Sequence, residues 1–572
     1  MKILLITTAH NSMSQRFYVE LIDRKYEVDI HITSTKETMI QAVKVSKPDL
    51  IICPFLKTAI PEEIWKKHVC IIVHPGIKGD RGASSIDWAI MNQEKEWGVT
   101  LLQAEAEMDA GDIWSSNNYP MREVSKSALY RREATHVAVK GLLDLLVKFE
   151  KHQKGEFLPE PLDYSDSDVK GTLLPTMKQI DRKINWFCDN SETIVRKIRS
   201  ADSNPGVLDI MFGEEYYLFG CHVDDMIVGN IGEILGYRDD AVCVGTIDGS
   251  VWISHVKKKG GIKLPATLAL SHLLKNVPEL LINPFDEIKG RTYREIYYKE
   301  KNQVGYMHFD FYNGAMHTLH CKKLQQAIAE AKTKDIKVLV LMGGHDFWSN
   351  GIHLNTIEYA ENQGDESWEN INAIDDLILE ILNTPDKIVV TAMQGNAGAG
   401  GVILGLSGDF IYAREGVVLN PHYKKMGNLY GSEYWTYLLP KRIGKELACE
   451  ITETCPALST LQSKEIGLID DYFKGNVQEF YEEIQKVAEY WASSTIYDEI
   501  IAKKQVVRER DEKEKPLAEY RHEELEQMKI NFYGEDKSYH LARKNFVYKI
   551  ACDNSGILLN DSRALVSNTI FT

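Results

Sequence analysis

Long apolar runs are missing from this 572-residue sequence. No stretch approaches the roughly 18 uninterrupted apolar residues of a membrane-spanning helix, so no membrane is expected among its partners. Paired cysteines are missing too. The nine cysteines are scattered, with no CxxC pair and no cysteine–histidine group at zinc-ligand spacing. That argues against a disulfide framework or a structural metal site and fits reduced, mostly buried thiols in a cytoplasm. Nor is positive charge in excess: 67 Lys and Arg stand against 83 Asp and Glu, a net charge of −16. This argues against nonspecific nucleic-acid binding and leaves anionic small ligands to local basic residues. No tandem repeat of fixed period is present. The opening run MKILLITTAH has too short an apolar core for a secretory signal and reads as a first buried strand, so a cytoplasmic location is expected. What is there is ordinary globular composition, 44% hydrophobic and 26% charged, in a chain long enough for about three or four folded units.

The first 150 residues alternate short β-rich runs (2–7, 28–32, 50–53, 70–73) with helical stretches (15–23, 38–45). That alternation predicts a doubly wound α/β domain, a parallel sheet with helices on both faces, whose site lies beyond the carboxyl ends of the strands. The loops 8–15 and 74–82 fit that position. Residues 154–167, rich in Pro, Asp, Glu and Ser, read as a linker or an extended surface segment. From about 177 to 284 a helix candidate (191–200) precedes β-type runs at 215–223, 230–237, 241–246 and 250–256, a small β-rich, barrel-like module. A third α/β region follows, with strands expected at 304–311, 337–342, 387–393 and 410–413, helices at 322–331 and 368–382, and a helical tail to about 550. The expected division is 1–175, 176–288 and 289–572.

Two places carry chemistry. In IVHPGIKGDRGASS, residues 72–85, a histidine ends a strand and a Pro/Gly-rich loop with Arg81 follows. Thirty-five residues after His74 comes Asp109, in EMDAGDIW, with Asp112 on the other side of a glycine. A histidine with a carboxylate to orient it is an acid–base pair, and Arg81 can grip a carboxylate or stabilise the loop. A structural histidine and a simple Asp-Ala-Gly turn are the alternatives. At the end of the first strand, Gln15 and Arg16 in the run His10–Arg16 can bind a phosphate or acceptor group; alternatively the run is a plain cap, with Ser12 or Ser14 as the N-cap residue.

Farther on, GGHDFWSNGIHL (343–354) and QGNAGAGGVILG (394–405) each follow a strand. Two glycine-rich turns after neighbouring strands can aim one backbone N–H each at a common carbonyl oxygen. A dinucleotide loop is the competing reading, but Ile403 stands where the full GxGxxG needs glycine. The run NPHYKKMGNLYGSEYW (420–435) offers His422, Tyr423, Tyr430 and Glu433. Gly431 and Ser432 can start a helix with Glu433 in its first turn, where the helix dipole favours a carboxylate.

The first constellation resembles the folate-dependent formyltransferase and hydrolase family, through Arg81-Gly82-Ala83, Gly98-Val99-Thr100 and Met108-Asp109-Ala110-Gly111. Lys183-Ile184-Asn185-Trp186 and Ile198-Arg199-Ser200 resemble the start of that family's C-terminal β-barrel. The resemblance spans about residues 1–285 and implies that His74 and Asp109 are the catalytic pair. It also exposes a departure: the family's catalytic Asn falls on Ile72, which cannot donate a hydrogen bond. Residues 300–475 resemble the crotonase (enoyl-CoA hydratase/isomerase) superfamily. That resemblance implies that the N–H groups of Ile352 and Gly400 form an oxyanion hole and that the hydratase glutamates fall on Ile403 and about His422, so alkene hydration is not expected. Tyr423 and Glu433 are then the acid–base candidates, and Arg543, Lys544 and Lys549 are candidates for coenzyme A phosphates, or else form a solvated helix face. The two halves together resemble the HypX (HoxX) family of nickel–iron hydrogenase maturation proteins. This implies carbon monoxide synthesis from 10-formyl-tetrahydrofolate by formyl transfer to coenzyme A and decarbonylation of formyl-CoA, with hydrogenase maturation proteins as possible partners. A formyl-folate hydrolase with a regulatory coenzyme A domain, and a non-catalytic one-carbon scaffold, are the alternatives.

Overall fold

The computed structural model describes residues 1–33, 35–211, 213–421 and 423–550. The chain divides into two compact units, one of residues 1–280 and 289–293, the other of 281–288 and 294–550.

The first unit is built on the strand Lys2–Thr7, whose alternate residues serve two cores. Ile3 and Leu5 pack with Phe17 and Leu21 of the helix Ser12–Asp23. Leu4 and Ile6 pack with Met39 and Val43 of the helix Lys36–Ser46. A strand apolar on both faces belongs inside a sheet covered on both sides. The sheet order is Glu27–Ile32, Lys2–Thr7, Leu50–Phe55, Cys70–His74, Glu96–Gln103, Ile113–Pro120. The first four strands are parallel, as expected, but the last two run antiparallel as a hairpin, so the sheet is mixed. Residues 155–190 contain neither helix nor long strand. They form a strap and not a free linker: Lys78 pairs with Glu160 at 2.5 Å, the Tyr164 hydroxyl donates to the Gly79 carbonyl at 3.0 Å, and the Gly171 N–H donates to the Lys78 carbonyl.

The helix Ser191–Ala201 then lays Ile194, Val195 and Ile198 on a second, antiparallel sheet. Its order is Val207–Met211, Glu214–Asp224, Ser250–Lys258, Ala241–Gly245, Ile234–Arg238, with Lys263–Pro265 paired to Ser250–Lys258. Among the described residues the ladder path runs from Val207–Met211 to Ile234–Arg238, with a further bridge from Ile231 to Gly245.

In the second unit the order is Ile296–Lys301, Val304–Phe309, Val338–Gly343, Ile388–Met393, Phe410–Arg414, Asp471–Phe473. Only the first pair is antiparallel. Leu339 and Leu341 face the helices Thr318–Lys332 and Gln363–Leu382, and Val338, Val340 and Met342 face the helix Val477–Ser493. Three short strands, Phe347–Ser349, Asn396–Gly398 and Leu419–Asn420, make a small parallel sheet of their own. That sheet brings the two glycine-rich turns together. Among the described residues no helix is long and apolar enough to cross a membrane.

Candidate functional site

His74 ends its strand buried, with Nε2 2.8 Å from Asp80 Oδ2 and Nδ1 3.5 Å from Asp109 Oδ2. The imidazole is therefore held between two carboxylates, one on each ring nitrogen. Gly76 makes the Asp80 contact possible, because a Cβ there would fall 2.2 Å from Asp80 Oδ2 and 2.5 Å from His74 Nε2. Asp109 takes a left-handed backbone, φ +52, and its Oδ2 accepts the Gly82 N–H at 3.2 Å. Arg81 does what the loop-stabilising reading required: Nε donates to the Met108 carbonyl at 2.9 Å and an outer nitrogen meets the Glu107 carboxylate at 2.7 Å. Ile72 lies two residues before His74 on the same strand and hence on the same face, so the position of the family's amide donor is occupied by hydrocarbon.

Gln15 and Arg16 lie inside the first helix. Gln15 is buried and donates to the His10 carbonyl at 3.0 Å, and Arg16 pairs with Glu20 one turn along. The helix is capped by Asn11, which accepts from the Ser14 N–H at 3.1 Å; the expected Ser12 and Ser14 caps give way to it because the helix already begins at Ser12. The Asp112 carbonyl accepts the Gln103 N–H and closes the hairpin loop, and its carboxyl is not among the groups bonded to His74. Arg543 is not on a solvated helix face: it is buried, with Nε 2.8 Å from Glu358 and an outer nitrogen 3.0 Å from His540.

In the second unit the two glycine-rich turns meet. A Cβ on Gly351 would lie 3.1 Å from the Gly400 nitrogen. Gly400 is the first residue of the helix Gly400–Leu406, so its N–H has no partner within the helix. Around Ile352, the N–H groups of Gly351 and His353 are engaged by Ser349 and Asn370. Ile403 is fully buried in the core, as an apolar residue at that position should be. His422 lies outside the described residues.

The Glu433 carboxyl sits directly on Gly400: a Cβ there would fall 2.0 Å from Glu433 Oε1. The expected helix start at Gly431 is wrong by several residues. The helix is Trp435–Ile443, and Glu433 and Tyr434 precede it at φ +65 and +61. Two successive left-handed non-glycine residues cost of order 1 kcal/mol or more each, so the elbow needs external support. Two buried carboxylates supply it. Asp375 Oδ1 accepts the Glu433 N–H at 2.8 Å and Asp375 Oδ2 accepts the Ser432 hydroxyl at 2.8 Å. Glu524 accepts the N–H groups of Tyr434 and Thr436 at 2.9 and 2.8 Å. Tyr423 is buried beside Glu433 with its hydroxyl making no hydrogen bond of good geometry. Burial first, then the Glu433 charge, pushes that phenol well above its ordinary value.

Burial also lifts the three carboxyls. Asp375 rises to about 7, restrained by the Arg521 guanidinium; Glu433 and Glu524 rise to about 8, each also repelled by Asp375. Each native value lies above the value of about 4 expected in the unfolded chain. Their protonated forms therefore favour the folded state below about pH 4, and that contribution is lost as pH rises toward 8. The thermal unfolding midpoint of the full chain is expected to fall between about pH 4 and 8 and to level off above that, with a shallower fall in Glu524→Gln. Equal slopes for the two proteins would contradict the assignment.

Asp80, Asp375 and Glu524 were missed in the sequence although signals for two of them exist. Asp375 follows Ile371 by four and precedes Ile378 by three, which puts it on the apolar stripe of its helix. Glu524 lies seven after Leu517 and four before Met528, again on the buried stripe. An acid in such a stripe is a buried acid. Asp80 has no comparable periodic signal, because it lies in a loop.

Residues 1–146 match the formyl transferase family model, 176–272 the model of its C-terminal domain, and 299–549 the enoyl-CoA hydratase/isomerase model. The chain is 43% identical over 552 residues to the hydrogenase maturation factor HoxX of Bradyrhizobium diazoefficiens, covering 96% of this chain and 95% of that protein. The crystal structure of HypX from Aquifex aeolicus in complex with tetrahydrofolic acid is 45% identical and covers 100% of both chains at a TM-score of 0.94. Methionyl-tRNA formyltransferase of Nitrosomonas europaea is 24% identical over 262 residues, 44% of this chain and 78% of that protein. The fold is thus a formyltransferase-like half followed by a crotonase-like half.

Proposed function

The chain belongs to the family of the hydrogenase maturation factors HoxX and HypX, and from that premise we propose that it converts the formyl group of 10-formyl-tetrahydrofolate into carbon monoxide for hydrogenase maturation, by way of formyl-CoA. The tetrahydrofolic acid bound by the Aquifex protein supports folate at the first site. The enoyl-CoA hydratase/isomerase match supports an acyl thioester at the second.

At the first site the coenzyme A thiol attacks the formyl carbon, the carbon–sulfur bond forms, the carbon–nitrogen bond breaks, and the thiol proton ends on the folate nitrogen. His74, with Asp80 and Asp109 on its two ring nitrogens, moves that proton. A protonated ring held between two carboxylates also offers positive charge to the tetrahedral intermediate, which the side chain of Ile72 cannot. Asp80→Asn is expected to lower folate-dependent formyl transfer about 10- to 100-fold, by loosening the histidine rather than removing it. Rates from formyl-folate and coenzyme A check this, and an unchanged rate would exclude a role for Asp80.

At the second site the N–H groups of Ile352 and Gly400 polarise the formyl carbonyl. Glu433 takes the formyl proton, the carbon–sulfur bond breaks, and the proton passes to the leaving thiolate, giving carbon monoxide and free coenzyme A. Tyr423 is the second proton carrier within reach. The observation that carries the reading is the Glu433 carboxyl seated on Gly400 in a crotonase-like site where Ile403 has replaced a hydratase acid. Hydration chemistry is thereby lost while a base at the oxyanion hole is kept. Synthetic formyl-CoA, supplied without folate, should yield carbon monoxide and free coenzyme A in equal amounts. Formate in place of carbon monoxide would overturn the decarbonylation step and favour a hydrolase.

A further inference from the structure

We propose that Asp375 and Glu524 are positioning residues for decarbonylation: from two different helices they pin the left-handed elbow at Glu433 and Tyr434, and so fix the Glu433 carboxyl against Gly400. The inference rests on the reading of Glu433 as the base.

The geometry is specific to the elbow. Asp375, from the helix Gln363–Leu382, accepts the Glu433 N–H itself at 2.8 Å. Glu524, from the helix Leu517–Tyr533, accepts the next N–H, that of Tyr434, and with its other oxygen that of Thr436. The Ser432 hydroxyl ties the two acids together, 2.8 Å from Asp375 and 3.2 Å from Glu524. The backbone at Glu433 and at the residue after it is therefore fixed by side chains from two other helices. A helix cap would need one such acid; two, on successive N–H groups in the left-handed region, hold an orientation. The same acids set the charge around the base. The groups facing Glu433 are Asp375 and Glu524, Tyr423 from the preceding loop, and Cys321 from the helix Thr318–Lys332, with Arg521 and Asp376 behind Asp375. Arg521 Nε lies 3.6 Å from Asp375 and favours its ionised form. A negative Asp375 next to Glu433 makes Glu433 a stronger base.

The test is the pH dependence of carbon monoxide release from synthetic formyl-CoA by the full chain, between about pH 6 and 9, with thermal unfolding as the folding control. Glu433→Gln should lose the rate at every pH; if it keeps the rate, the reading of Glu433 fails whatever the other variants do. Asp375→Asn keeps an oxygen for the Glu433 N–H but removes the charge. Its rising limb should move about one unit toward acid, the size of effect a neighbouring like charge produces. Asp375→Ala removes the pin and should lose about 100-fold at all pH values, as a misplaced catalytic group does. Glu524→Gln, which retains one acceptor, should shift the limb in the same direction and stands in should an Asp375 variant fail to fold. An inactive Glu433→Gln together with an unshifted limb in the folded amide variants would overturn the positioning role and leave the base assignment standing.

Discussion

Glu433→Gln is expected to stop carbon monoxide release while formyl-CoA accumulates in the presence of formyl-folate and coenzyme A. The expected loss is about 1000-fold, within the range for removing a general base. Glutamine keeps the size and the contact with Gly400 but cannot accept the formyl proton. The pH profile of the unaltered protein carries the same signature. Burial and the neighbouring Asp375 hold the Glu433 carboxyl at about 8, so about a tenth of it is ionised at pH 7. The rate should rise with pH up to about 8 and level off above it. A raised carboxyl suits this task, because the formyl proton is weakly acidic and a stronger base removes it more readily. Mass spectrometry of the thioester pool and gas analysis of the headspace read both products. Normal carbon monoxide release from the variant would sink the role of Glu433.

Asp109→Asn is expected to lower formyl transfer from the folate about 1000-fold, with carbon monoxide release restored when formyl-CoA is supplied directly. Asp109 Oδ2 lies 3.5 Å from His74 Nδ1 and is held by the Gly82 N–H on a loop that Arg81 clamps. The amide fits the same place but neither balances a charged imidazole nor takes a proton. Here the rescue is the informative part, because it separates a chemical lesion at the first site from general damage. A transfer rate close to that of the unaltered protein would remove Asp109 from the mechanism.

The amino-acid pattern made much of this legible, and the exceptions have physical reasons. Strands apolar on both faces, such as Lys2–Thr7 and Val338–Gly343, announce themselves and fix the two parallel cores. The hairpin Glu96–Gln103 and Ile113–Pro120 does not, because its outer strand is half polar and reads like a surface segment. His74, Asp109, Gly400 and Glu433 stood out from their glycine-rich surroundings and the family resemblances. The elbow at Glu433 did not, since nothing in Gly-Ser-Glu-Tyr-Trp distinguishes a left-handed turn supported from afar from a helix start supported locally. Its support comes from residues 58 and 91 positions away in the chain. Asp80 escaped for the opposite reason: it is only six residues from His74, yet its role depends on how tightly the loop folds over Gly76. Long-range acids and tight loops are tertiary facts, and sequence periodicity carries only half of each.

The central claim is a formyl relay through a thioester that ends in carbon monoxide. The most direct measurement supplies the purified chain with formyl-folate carrying a heavy carbon in the formyl group, with and without coenzyme A, and follows the label in the headspace gas. The account predicts labelled carbon monoxide only when coenzyme A is present, with tetrahydrofolate formed in equal amount. Labelled carbon monoxide without coenzyme A, or labelled formate as the sole product with it, would contradict the relay.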